Sequence, residues 1–506
     1  MDPEPPTLNR PNGFRNPVIP GFHPDPSICR VGDEYFLAVS SFTWFPGVPI
    51  FRSTNLVDWT QIGHALDRVE QLDLSDTGAW ASLGVFAPTL RHHDGRFWLI
   101  TTVMSEAGPH NFVVTADDPA GPWSDPLTLP IPGIDPDIAW DHDGNCWVHY
   151  SAMHIARLRI DPATGEVLDG PEVTWSGTGM QYPEAPHLIE RDGWWYLLIA
   201  EGGTERCHAV SIARAPSPTG PWEGCPANPI LSHRSLSNPI QSTGHADLVQ
   251  HVDGSWWMVF LGTRPRGITP GFYVLGRETF LAPVEWVDGW PEVGPVEIDM
   301  VSRPTGRVES EYAGERVDFD QPTLDHRWAA VRRPPATLSS LDERPGWLSL
   351  NGTDATLDST YPVLLARRQQ HQTCRVRCLV DLADADEAGL TVLMNETLHT
   401  DVALTADRVI ARSRIGPLTG IVGEAPRTRA GEPVVLVIET VLTGEGPDTI
   451  VVGFEDENGS TQVLAELDGR YLSTEVAGGF MGRMIGMYAV GGTAHFDWFE
   501  YLPTEP

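Results

Sequence analysis

The chain has 506 residues, 34 basic and 68 acidic, for a formal net charge of −34. At roughly 100–200 residues per domain this length predicts two or three domains, or one large β domain with a smaller one. So acidic a surface repels nucleic acid and anionic lipid, and neither is expected as a partner. Its 49 Gly, 45 Pro and 18 Trp favour a turn-rich β fold with aromatic-faced strands.

The opening segment Met1–Arg10 lacks a basic start followed by an apolar core, and no run of about 18 apolar residues comes later, so a cytoplasmic protein is expected. The six cysteines (Cys29, Cys146, Cys207, Cys225, Cys374, Cys378) form no CxxC pair. Cys374 and Cys378, four apart on a predicted strand, would stand about 13 Å apart, so neither a disulfide nor a cysteine zinc site is expected.

A short signature recurs five times: a Gly-containing turn, then an aromatic-rich apolar strand. The copies are Val31-Gly-Asp-Glu-Tyr-Phe-Leu37, Asp94-Gly-Arg-Phe-Trp-Leu-Ile100, Asp143-Gly-Asn-Cys-Trp-Val148, Asp192-Gly-Trp-Trp-Tyr-Leu-Leu198 and Asp253-Gly-Ser-Trp-Trp-Met-Val259. Their glycines, at 32, 95, 144, 193 and 254, are spaced by 63, 49, 49 and 61 residues, the size of a four-stranded propeller blade. Seven to nine residues ahead of each Gly lies a second echo: Asp25-Pro-Ser-Ile28, Ala87-Pro-Thr-Leu90, Asp135-Pro-Asp-Ile138, Ala185-Pro-His-Leu188 and His245-Ala-Asp-Leu248. A third, Gly121-Pro-Trp123 and Gly220-Pro-Trp222, reads as an outer-strand ending. The expectation is a five-bladed β-propeller over residues 1–310. After the segment Arg307–Arg316 the pattern changes to alternating strands such as 372–380, 433–440 and 449–453, which predict a β-sandwich over 311–506.

Innermost strands of a propeller lie side by side, so the strand-start column Asp25, Ala87, Asp135, Ala185 and His245, with Glu184 one residue earlier, converges on one end of the central tunnel. Asp before Pro is a common turn residue. A column shared between blades instead gathers Asp25, Asp135 and Glu184, and crowded carboxylates must differ in proton affinity. Glycoside hydrolysis needs that difference: a carboxylic acid protonates the leaving oxygen while a carboxylate activates water or attacks the sugar.

These residues resemble glycoside hydrolase family 43, in its β-xylosidase and α-L-arabinofuranosidase branch with a C-terminal concanavalin-like β-sandwich. The similarity is carried by the segment Asn16–Ile28, by Ser40–Phe51, by Gly133-Ile-Asp-Pro136, by Glu184-Ala-Pro-His-Leu188 with Ala200–Thr204, and by Leu275-Gly-Arg-Glu-Thr-Phe280. In the second half it is carried by the segments Phe319–Trp328, Ala366–His371 and Glu387–Leu390. The resemblance implies an inverting exo-enzyme that releases terminal pentose, β-D-xylose or α-L-arabinofuranose, from xylan- or arabinan-derived oligosaccharides. In it Asp25 is the general base, Glu184 the general acid, and Asp135 the carboxylate that raises the acid's pKa and orients it. It also implies that Arg277 binds sugar hydroxyls and that His245 lies beneath the site. No cofactor is required, although some relatives hold a Ca²⁺ ion near the equivalent of His245. Phe42, Trp44 and Phe86 are candidates for an apolar platform under a pentose ring, and Phe480, from the sandwich, for a closing aromatic. A homodimer or homotetramer is compatible with the resemblance.

Three departures touch the expected pocket wall: Glu184-Ala-Pro where the family commonly has Glu-Gly-Pro, Phe86-Ala-Pro for Trp-Ala-Pro, and Asp135-Pro-Asp for Asp-Pro-Ser. They leave the choice between the two pentoses open. Two alternatives remain at this point: a carbohydrate-binding propeller without catalysis, and a retaining fructosidase-type propeller, whose Asn-Asp-Pro-Asn-Gly-like start is His23-Pro-Asp-Pro-Ser27 here.

Overall fold

The computed structural model describes residues 13–302, 304, 314–427, 429 and 431–504. The 310/311 boundary and the segment Met1–Arg10 lie outside the described residues. Two compact units are present: one takes the described residues up to 264 together with 277–302 and 304, the other takes 265–276 together with those from 314 onward.

The first unit consists of five antiparallel sheets in chain order, each built around one copy of the repeat. The innermost strands are Ser27–Val31, Thr89–His93, Ile134–Trp140, Glu184–Arg191 and Gln241–Gln250. Each neighbours the next, and the first neighbours the fifth, which closes the ring. The repeated glycines sit in the turn to the second strand. At Asp94-Gly95 (φ +49° and +74°) and Asp192-Gly193 (φ +52° and +78°) both turn residues are left-handed, as a two-residue hairpin loop requires. The aromatic strands that follow fill the spaces between blades: Phe36, Phe97, Trp147, Trp195 and Trp257 are all buried, and Phe36 packs edge-on against Phe97 across the first two blades at 5.1 Å. Burial of each such side chain contributes about 1.5–3 kcal/mol. Gly121-Pro-Trp123 and Gly220-Pro-Trp222 lead into the outermost strands of their blades, Leu127–Leu129 and Glu223–Gly224, where an outer-strand ending was expected. The ring is stapled by Phe14–Arg15 pairing with Asp299–Met300 and by Asn16, whose side chain exchanges two hydrogen bonds with the main chain of Leu281.

One backbone feature repeats where the chemistry is expected. Asp25, Asp135, Ala185 and His245 all adopt left-handed φ, between +47° and +59°. The pairing register slips beside three of them, between Ile134 and Asp137, Glu184 and His187, and Gly244 and Asp247. A left-handed non-glycine residue costs about 1–3 kcal/mol, and bulges of this kind re-aim side chains. Two residues further on, Ser27, Asp137, His187 and Asp247 come from the first, third, fourth and fifth blades and meet around Arg91 of the second. Its guanidinium lies 2.7 Å from both Asp137 and Asp247, 3.1 Å from His187 Nδ1 and 3.2 Å from Ser27 Oγ.

The second unit is a two-sheet β-sandwich. One sheet runs through Leu348–Gly352, Gly492–Pro503, Cys374–Asp381, Val434–Val441, Thr449–Glu455 and Thr461–Asp468. The other runs through Leu418–Pro426, Arg408–Ile415, Leu398–Leu404, Glu387–Asn395, Met484–Val490 and Leu364–Arg368. Alternating burial along Cys374–Asp381 marks one inward face. The six cysteines are free thiols.

Candidate active site

Asp25 opens the first blade and is almost fully buried. Arg277 Nη1 donates to its Oδ1 at 2.8 Å and Ser40 Oγ to its Oδ2 at 2.5 Å, while His245 Nδ1 stands 3.3 Å from Oδ1. Burial alone would push Asp25 up, but the Arg277 charge, then His245 and the Ser40 hydrogen bond, together outweigh it and hold the carboxyl below its ordinary value. Asp135 opens the third blade in the opposite electrostatic situation. Burial first, then the charges of Glu184 and Asp25, push it well above the carboxylate range, and one main-chain bond from Ala185 N–H at 3.2 Å only partly offsets this. The cluster therefore retains a proton at pH values where isolated carboxyls have lost theirs. Glu184, at the start of the fourth blade, is the accessible member, its side chain 21% exposed against 5% for Asp25.

Local sequence explains these placements. Gly133, before Ile134-Asp135, runs so close to the second strand that an added Cβ would fall 2.0 Å from the Ser151 carbonyl oxygen. Arg277 is fixed by its neighbour Glu278, which accepts two bonds from Arg264 and one from Gly21 N–H. Arg277 also reaches Thr204 Oγ1 at 3.2 Å and lies over the Phe42 ring at 5.8 Å.

Sequence reasoning missed Ser40, Thr204 and His208. Ser40 and Thr204 lie within the segments that carry the family resemblance, but nothing in their type singles them out. His208 belongs to no repeat. Its buried ring stands with Nε2 3.5 Å from Glu184 Oε1 and Nδ1 3.3 Å from the Ser242 carbonyl. Only a glycine at 244 leaves room for that ring, since a Cβ there would fall 2.2 Å from it.

Burial pushes His245 down to about 3, against the pull of Asp25 and with His187, His208 and Arg277 adding to the effect, so the imidazole is neutral. Among the described residues no group of three or more His, Cys, Asp or Glu is disposed to hold a metal. Phe42 and Trp44 are fully buried, at 2% and 1% exposure. Phe86 is half-buried and packs against Phe42 at 5.4 Å, which makes it the accessible ring of the expected platform. Phe480 lies in the sandwich unit, half-buried, just after the short helix Thr474–Ala477. The Arg483 that follows is buried on Asp448 and on the carbonyls of Leu472 and Gly469, and its N–H bonds Val274 of the 265–276 segment, which anchors the turn carrying Phe480.

Residues 14–291 match the model of glycosyl hydrolases family 43. The chain belongs to this family. Residues 316–502 match the β-xylosidase C-terminal concanavalin A-like domain, so the family 43 protein carries a five-bladed propeller and a concanavalin-like sandwich and is a glycoside hydrolase. It is 38% identical to a xylosidase/arabinosidase of Butyrivibrio fibrisolvens, over 94% of this chain and 95% of that one. It is likewise 38% identical to a non-reducing end α-L-arabinofuranosidase of Bacteroides ovatus, over 96% and 94%. Among solved structures, a xylan β-1,4-xylosidase of Bacillus halodurans superimposes with a TM-score of 0.89 at 32% identity, covering 97% of this chain and 100% of that one.

Proposed function

We propose that this glycoside hydrolase is an inverting exo-pentosidase that removes terminal β-D-xylosyl or α-L-arabinofuranosyl units from xylan- and arabinan-derived oligosaccharides. The observation that carries the reading is the electrostatic split within one carboxylate cluster: Asp25 is held ionised while Asp135, beside Glu184, retains a proton. Inversion uses that split. Asp25 takes a proton from a water as its oxygen attacks the anomeric carbon, and Glu184, the exposed member, delivers a proton to the glycosidic oxygen as the bond breaks. Asp135 and Glu184 oppose each other's ionisation, so the pair holds one proton that Glu184 can deliver, and the bond from Ala185 N–H holds Asp135 against the residue that follows the acid. Arg277 orients Asp25 and presents a guanidinium edge to sugar hydroxyls. Names of relatives support both pentoses.

The test compares turnover of aryl β-D-xylopyranoside and aryl α-L-arabinofuranoside by the native protein and by Glu184→Ala. The native enzyme should cleave at least one, and the variant should lose several orders of magnitude on a poor leaving group but far less on an activated one. Equal losses on both leaving groups would remove Glu184 from the acid role, and turnover of neither sugar would remove the pentosidase reading.

A further inference from the structure

The first unit carries a cavity at the end of the blades away from the carboxylate cluster. It measures about 490 Å³ and is lined by Trp256, Trp286, Glu190, Asp192, Gln250 and Ser255, with Arg191 between the two acids. All of these belong to the fourth and fifth blades, at strand ends and turns opposite the catalytic column. Glu184 and Arg191 are the two ends of one eight-residue strand, about 23 Å apart at 3.3 Å per residue, so this cavity is separate from the carboxylate cluster.

We propose that this cavity is an ancillary binding site for an uncharged glycan chain, the same class of polysaccharide the catalytic end trims; in that last respect it rests on the reading above. The chemistry of the walls selects the ligand. The half-buried Trp256 indole offers the apolar face, extended by Val284, while Trp286 meets it edge-on at 5.5 Å and 72° and carries the Arg191 guanidinium over its own ring. Sugar C–H faces pack on such surfaces. Around them stand exposed hydroxyl, amide and carboxylate groups that pair with sugar hydroxyls in either direction. Charge excludes the other candidates. Glu190 and Asp192 outnumber Arg191, which disfavours a phosphate or a uronate. A cation meets positions already taken: Arg191 lies over Trp286 at 4.4 Å and pairs with Asp192 at 2.8 Å, and Glu190 pairs with His142 at 3.0 Å. The volume falls within the about 300–1,000 Å³ of ligand clefts, room for a short stretch of a chain that continues on both sides.

The test is native affinity electrophoresis through gels containing soluble arabinoxylan, arabinan, or β-glucan as an unrelated glycan, with spermine as a competing cation. The protein carries Glu184→Ala to suppress turnover. Arabinoxylan or arabinan should retard it, and Trp256→Ala should weaken retardation at least fivefold. Gln250→Ala, at an exposed strand end, should weaken it about two- to threefold and keeps the test open should the tryptophan variant fail to fold. In the native background, both variants should keep kcat/KM on aryl pentosides within twofold and lose rate on polymer only. Retardation unchanged in both variants, no retardation at all, or release by spermine would overturn the proposal. Variant-sensitive retardation without pentoside turnover would instead overturn the catalytic reading and leave the site in place.

Discussion

Arg277 Nη1 sits 2.8 Å from Asp25 Oδ1, so an arginine far along the chain governs the charge of the proposed base. Burial opposes ionisation of Asp25, and Arg277 is the largest of the groups that reverse it. Replacing Arg277 by Met leaves burial in control. The acid limb of the kcat/KM profile should then move to higher pH, and kcat/KM at neutral pH should fall by about 10²–10³-fold. Arg277→Lys should restore part of the limb's position, since it returns the charge without the paired donors. A profile whose acid limb does not move would separate Arg277 from Asp25.

Asp135 presents the opposite sign. Its folded pKa lies well above the ordinary 3.8, so between those values the native state binds a proton the unfolded chain has released. Stability is therefore lost as pH rises through that window. Asp135→Asn keeps an oxygen to accept the Ala185 N–H bond and removes the titration. It should raise Tm at pH 7 by several degrees, at about 2–4 °C per kcal/mol, while cutting kcat by orders of magnitude. Scanning calorimetry at pH 5 and pH 8 checks this, and a variant less stable than the parent at pH 8 contradicts it.

His245 titrates with the sign of a buried neutral base. Its folded value of about 3 lies below the ordinary 6.5, so the unfolded chain binds the extra proton between them, and stability falls as pH drops from about 6.5 toward 3. His149, pushed by burial to about 4, adds to the same slope. His245→Gln should flatten the loss of Tm between pH 6.5 and 4, with the remaining slope carried by His149. The stability Asp25 supplies goes at lower pH still, below its ordinary 3.8. An unchanged slope in His245→Gln would contradict the assignment.

Arg91 joins Asp137 and Asp247 at the axis, and both carboxyls are held below the ordinary range because its charge and their hydrogen bonds outweigh burial. Arg91→Met would leave two buried carboxylates facing each other. Breaking such a pair costs about 3–5 kcal/mol, visible as a lowered denaturant midpoint at pH 7, and part of the loss should return at pH 4 as the carboxyls protonate. Loss independent of pH would point to packing instead.

The five blades were legible because their spacing is set by glycine turns and aromatic strands, both encoded locally. Convergence of Asp25, Asp135 and Glu184 followed from the shared column. The left-handed backbone at Asp25, Asp135, Ala185 and His245 was not legible, since Asp, Ala and His do not announce positive φ as Gly does. His208 escaped because its approach to Glu184 depends on Gly244 of a different blade. The grouping of 265–276 with the sandwich escaped too, because contacts far apart in sequence bind it there.

The central claim is that Asp25 activates water while Glu184 protonates the leaving group. Proton NMR of the first sugar released by the native enzyme, recorded before mutarotation, tests it most directly. From an aryl β-D-xyloside the account predicts α-xylose as the first product, and from an aryl α-L-arabinofuranoside β-arabinofuranose. First appearance of the anomer that matches the substrate would make Asp25 a nucleophile and contradict it.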